Sequence, residues 1–146
     1  MNMKWLFLVL ILCIVPFSSP GQTRSYRISG RLSFQNRGDI YVYLVTEEDF
    51  KTPFTGLQVI HIEMEANGEV ENEVYFSFDN VEAGTYGIRC FQDENGNGKL
   101  DRGIGGPAEP WGMSWQDEKP KKWPRFSHIA FEVKQDIDDM HITLQQ

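Results

Sequence analysis

Arg27-Ile28-Ser29-Gly30-Arg31-Leu32-Ser33-Phe34 alternates without a break. Ile28, Gly30, Leu32 and Phe34 share one parity and Arg27, Ser29, Arg31 and Ser33 the other, the pattern of a β-strand with one face packed and one in water. The same period of two recurs where Ile60, Ile62 and Met64 oppose His61, Glu63 and Glu65, and where Val74, Phe76 and Phe78 oppose Tyr75, Ser77 and Asp79. Further strands are expected over residues 40–46, 85–92, 127–134 and 140–144, with Asn36-Arg-Gly38 and Asn67-Gly68 as turns between neighbours. No stripe of period 3.6 occurs after Gly21. The expected fold is therefore all-β, a seven-stranded antiparallel β-sandwich, with one long ordered loop over residues 93–124.

The chain has 146 residues, enough for one domain, and a formal net charge of −7. An acidic surface argues against nucleic acid and anionic membranes as partners. Ten Phe, five Tyr and four Trp can fill a core without disulfide staples. Residues 1–21 read as a secretory signal peptide: Lys4 supplies the basic start, residues 5–15 are apolar, and small residues precede Gln22. Pro16 and Ser18 end the run short of the ~20 apolar residues that a membrane span needs. A lipoprotein signal at Cys13 is disfavoured by bulky Leu12. Residues 22–146 are then one exported domain, periplasmic or secreted, with no membrane span after cleavage. Of the two cysteines only Cys90 stays, so no internal disulfide forms, and its parity with Tyr86 and Ile88 makes it a small buried hydrophobe.

Residues 93–124 break the alternation and are rich in Gly, Pro and Trp. A loop of that length in a compact domain is usually functional or ordered by something. It opens with Asp93-Glu-Asn-Gly-Asn-Gly-Lys-Leu-Asp101, which fits the calcium-loop pattern D-x-[DN]-x-[DN]-G. Asp93, Asn95, Asn97 and Asp101 offer side-chain oxygens at alternate positions, Gly98 permits the bend, and Lys99 offers its carbonyl. A hard cation wants six to eight such oxygens, and alternate residues of a tight loop turn theirs to one centre. The bidentate Glu of an EF-hand would fall at Ile104, and no helices flank the loop, so it is not an EF-hand. Glu109 is the residue expected to return and cap the site, with Asp117 and Glu118 as weaker candidates. The competing reading is that Asn95-Gly96 and Asn97-Gly98 only make turns. With so few formal charges around it, Ca2+ would bind weakly, at roughly 0.1 to 1 mM.

Constellations for catalysis are missing from the sequence. His61, His128 and His141 have no metal-ligand spacing, Gly112-Met-Ser-Trp-Gln116 is half a nucleophile elbow, and Gly103-Ile-Gly-Gly106 lacks the context of a dinucleotide loop. Glu47-Glu48 and Asp138-Asp139 fall where turns are expected, and Lys119-Pro-Lys-Lys122 is a short solvated patch. Trp111, Trp115 and Trp123 beside acidic residues admit a carbohydrate-binding module as the alternative, against simple packing over their own loop.

Val74-Tyr-Phe-Ser-Phe-Asp-Asn-Val-Glu-Ala-Gly-Thr-Tyr86, residues 93–101, Gly106-Pro-Ala-Glu-Pro-Trp-Gly-Met-Ser114 and Pro124-Arg-Phe-Ser-His-Ile-Ala-Phe131 together resemble the bacterial exported family known as domain of unknown function 2141. The resemblance covers nearly all of the chain after the leader. It implies a small exported protein of unassigned activity, with a prealbumin/Ig-like sandwich similar to transthyretin-like and carboxypeptidase-regulatory domains. The 93–101 motif carries over, as do Glu109, Gly112 and Ser114. Trp115 stands where a small polar residue such as Asn is expected, and Met113 where an aromatic is usual. The resulting expectation is an exported, non-enzymatic module with a calcium-binding loop, whose partner would be a cell-surface glycan or another exported protein.

Overall fold

The structure, a computed structural model, describes residues 24–64, 72–116, 119–120 and 124–146. The leader, the Asn67-Gly68 turn, Asp117, Glu118 and Trp123 lie outside the described residues. The chain runs through β1 (Ser25–Ser33), β2 (Asp39–Val45), α1 (Glu47–Lys51), β3 (Gln58–Ile62), β4 (Glu73–Glu82) and β5 (Gly84–Asp93). It continues through the short strands β6 (Arg102–Gly103), β7 (Gly106–Pro107) and β8 (Trp111–Met113), a 3-10 turn (Phe126–His128), β9 (Phe131–Val133) and β10 (Ile137–Thr143). The fold is all-β, and its sheets are open: one in the order β10-β1-β4, a second in the order β3-β2-β5-β8 with β9 also on β5, and a small β6-β7 pair.

Six of the expected strands are present and the seventh, over residues 127–134, shrinks to Phe131–Val133 because Phe126–His128 closes a 3-10 turn; the other differences also have local causes. Residues 93–124 are not bare loop, because the chain makes a β6-β7 hairpin and then lays β8 along β5, pairing Cys90 with Gly112. Pairing is antiparallel except between β1 and β10, which run parallel, with Leu32 opposite Ile142. Glu47-Glu48 does not turn but opens α1: Thr46 accepts the Asp49 N–H at 3.2 Å while the Asp49 carboxylate accepts the Thr46 N–H at 3.0 Å. That reciprocal cap, with acidic residues in the first turn, sustains a helix too short to persist alone. Asp138-Asp139 lies within β10, where Asp139 takes φ 61° and the β1–β10 register slips between Ile28 and Gly30. A second slip, between Tyr26 and Ile28 on the β4 side, sits opposite Asn80 at φ 56° and turns Val81 into the core beside Phe78.

The core follows the alternation. Ile28, Leu32, Phe76, Phe78 and Ile142 from one sheet meet Ile40, Val42, Leu44, Ile88 and Cys90 from the other in a single cluster. β2 and β5 also bury their opposite faces, where Tyr43, Val45 and Phe91 pack with Ile129, Leu100, Trp111, Met113 and Trp115. The segment after β5 thus folds back over the outer side of its own sheet and gives those two strands a second core.

Candidate functional site

Asp93 is the last residue of β5, on the outer parity with Phe91, and only 3% of it is exposed. Its carboxylate gathers the loop that follows: Oδ1 accepts the Gly96 N–H at 2.8 Å and the Asn97 N–H at 3.1 Å, and Oδ2 accepts the Gly98 N–H at 2.6 Å. This inward curl needs φ 73° at both Gly96 and Gly98, a conformation that costs glycine nothing sterically. Asn95 and Asn97 each make a side-chain turn, their Oδ1 atoms accepting the N–H of Asn97 at 3.1 Å and of Lys99 at 2.8 Å. Their amide groups converge from the other side on Asp101 Oδ2, at 2.5 and 3.0 Å.

Glu109 returns to the loop as expected, through the β6-β7 hairpin. It is 4% exposed, and it accepts the Glu94 N–H on Oε1 and the Asp101 N–H on Oε2, each at 2.9 Å. One carboxylate therefore holds both ends of the loop. The base is braced again where Asn36 donates to Glu94 Oε1 at 2.5 Å and where buried Gln92 donates to the Asn36 carbonyl at 2.7 Å.

Asp93, Asn95, Asn97, Asp101 and Glu109 are thus brought together, with Lys99 on the same turn of chain. Among the described residues the donors to these three carboxylates are backbone N–H groups and, at Asp101, the Asn95 and Asn97 amides. Such donors suit carboxylate oxygens, which keep lone pairs to spare. No three His, Cys, Asp or Glu side chains among the described residues stand in a metal-holding arrangement. A cation here would therefore draw on amide and carbonyl oxygens as well as carboxylates, the mixed donor set of a hard ion. Tyr41 borders the loop, and burial, reinforced by Asp93 and Asp39, raises its phenol above its usual range.

The other residues singled out in sequence are placed elsewhere. Ser114 is 5% exposed and accepts the Ile88 N–H at 2.8 Å while donating to the Ile129 carbonyl at 2.7 Å. It thereby fills the gap along β5 between β8 and β9, the work of a hydrogen-bonder within the sheet. His61 bonds Asp39 at 2.9 Å and stacks on Tyr41 at 4.3 Å, His141 bonds Ser33 at 2.7 Å, and His128 Nδ1 accepts the Arg125 N–H at 3.1 Å. Trp111 and Trp115 meet edge to face at 5.8 Å, and Lys119, expected in a solvated turn, sits 4.2 Å from the Trp111 ring centre. Cys90 is buried, its thiol directed to the Gly112 carbonyl at 3.4 Å, and burial pushes its pKa strongly upward.

Sequence reasoning passed over Arg89, whose guanidinium donates to the carbonyls of Thr52, at 2.8 Å, and of Thr55. The available signal was a lone cation in the outer parity of a strand otherwise buried on both sides.

A family model described as an uncharacterized protein conserved in bacteria, DUF2141, matches residues 33–141, from the end of β1 into β10. No curated protein and no solved structure matches the chain.

Proposed function

The chain belongs to the DUF2141 family, whose description assigns no activity, and we propose that it is an exported, non-enzymatic β-sandwich module of transthyretin-like plan whose loop binds calcium weakly. The observation that supports the reading is that Asp93, Asp101 and Glu109 all bond into one loop whose other polar groups are amides and carbonyls. Two of the three carboxylates are almost fully buried, and like charges gathered in one volume resist ordering without a counter-charge. Asn95, Asn97 and the Lys99 carbonyl would complete the donor set. A bound calcium ion supplies that counter-charge and so favours the ordered excursion over β2 and β5.

Calcium should bind the folded chain and not the unfolded one. With a dissociation constant of about 0.1 mM and about 1 mM free calcium, linkage adds RT ln 11, or roughly 1.4 kcal/mol. For a domain of this size that raises the melting temperature by about 4 to 7 °C. Asp101→Asn should abolish the rise while melting like the parent in EDTA, because Asn keeps an acceptor for the Asn95 and Asn97 amides. Magnesium should do much less, since it yields its water reluctantly. Identical melting curves in EDTA, 1 mM and 10 mM calcium would leave residues 93–101 as turns alone.

The alternative, a carbohydrate-binding surface on the tryptophans, draws less support. Trp111 carries Lys119 over its ring and Trp115 at its edge, so it does not offer the open flat face on which a sugar stacks.

A further inference from the structure

We propose that the cavity between α1 and the outer face of β2 and β5 is a binding site for a small aromatic anion, a single ring bearing a carboxylate. The proposal stands apart from the calcium reading. The cavity measures about 160 Å³, and an apolar cavity of about 150 Å³ accommodates one benzene-sized molecule. Its walls are aromatic, with Tyr43, Phe50, Phe54, Phe91 and Trp111 contributed by separate segments of the chain. Rings in that number offer edge and face contacts to a flat guest from several directions.

Charge selects the kind of ring. Lys51, Arg89 and Arg102 line the cavity and no Asp or Glu does, although Lys51 is paired with Glu48 at 2.7 Å, so Arg89 is the cation on which the selection rests. Arg89 lies 5.6 Å from the Tyr43 ring centre and donates from Nη2 to the neutral carbonyls of Asp49, Thr52 and Thr55. The Asp49 carboxylate is engaged in the cap with Thr46. A partly buried cation bonded to neutral carbonyls, its charge offset only in part by Asp49, leaves a positive field that an incoming carboxylate would complete, whereas an amine would be repelled. Burial pulls the Arg89 pKa downward, against the opposing influence of Tyr43 and Asp49.

Phe54 supplies an independent sign. It lines the cavity, is 42% exposed, meets Phe91 edge-on at 6.0 Å, and holds φ at 57°. A bulky residue in the left-handed region is an outlier that persists only where its surroundings enforce it, and such residues gather at ligand clamps. Here the enforcement is visible: Arg89 ties down the carbonyls on both sides of the Pro53-Phe54 pair.

The test titrates the ¹⁵N-labelled chain with phenylacetate and, separately, with benzylamine, a cation of similar size. Phenylacetate should saturate at a dissociation constant of about 1 mM or below and shift the amides of Phe54, Arg89 and Phe91. Benzylamine should bind at least about tenfold more weakly. Phe54→Gly places a residue that accepts positive φ and removes one wall; it should weaken phenylacetate at least about fivefold with the fold intact by its spectrum. Tyr75→Ala, on the exposed face of β4, should bind as the parent does. Absence of saturation by about 10 mM phenylacetate, equal binding of the amine, or undiminished binding by Phe54→Gly would each overturn the proposal.

Discussion

Replacing Glu109 by Gln exchanges one oxygen for an NH₂ group and tests whether this carboxylate is a brace in its own right. In the parent, both oxygens accept backbone N–H groups, from Glu94 and from Asp101, at 2.9 Å inside a site that is 4% exposed. The amide keeps one acceptor and turns an NH₂ toward the other N–H, so one charge-assisted bond is lost and one buried donor is left opposite a donor. A bond to a charged group contributes about 1.5 to 3 kcal/mol, and an unsatisfied buried N–H costs about 1 to 3. The two overlap, because the lost bond and the orphaned donor are the same event seen from its two partners. A net loss of about 2 to 4 kcal/mol is expected, or a fall in melting temperature of about 6 to 20 °C for a domain of this size. Differential scanning calorimetry in EDTA at neutral pH reads it directly. Glu132→Gln is the control: its ion pair with Lys134 is exposed, and such pairs contribute about 0 to 1 kcal/mol. A loss below about 1 kcal/mol for Glu109→Gln in EDTA would refute the brace. A loss seen only with calcium present would make Glu109 a metal ligand instead.

Other consequences can be measured on the same protein. Burial raises the Cys90 thiol far above its ordinary 9.0, so the folded chain keeps a proton that the unfolded chain releases; stability is full below about pH 9 and falls by about 1.4 kcal/mol per pH unit above it. The urea midpoint should drop between pH 9 and 11 and drop less in Cys90→Ala, whereas fast native reaction with Ellman's reagent would contradict the burial. Ser114→Ala orphans the Ile88 N–H at the break between β8 and β9 and should cost about 1 to 3 kcal/mol by chemical denaturation, with an effect near zero showing that the strands close without it. For export, mass spectrometry of the secreted or periplasmic fraction should find an N-terminus between Ser18 and Thr23, and an intact Met1 there would dispose of the leader reading.

What could be read from the sequence was whatever depends on neighbours within about five residues. Alternation placed Ile28, Leu32, Phe76 and Phe78 inward because a strand's side-chain period is fixed by the backbone, whatever it packs against. The 93–101 spacing located the curl of the loop because Asp93 reaches only the N–H groups three to five residues ahead. Glu109 was found as a returning carboxylate, yet its hold on both loop ends depends on the β6-β7 hairpin, which has no signal beyond its glycines. The parallel run of β10 on β1 is a topological choice that alternation leaves open, since reversing a strand keeps every parity. α1 was masked because Glu47-Glu48-Asp49 resembles a turn until Thr46 is recognised as its cap. The aromatic cavity was hidden for a different reason. Tyr43, Arg89 and Phe91 carry the parity of a solvent face, and they become walls only because residues after Asp93 fold back over that face. The loop that carries the candidate calcium donors also contributes Leu100 to the cavity lining. Ordering that loop would then fix one wall of the pocket, so calcium should tighten phenylacetate binding, and by thermodynamic reciprocity phenylacetate should tighten calcium by the same factor.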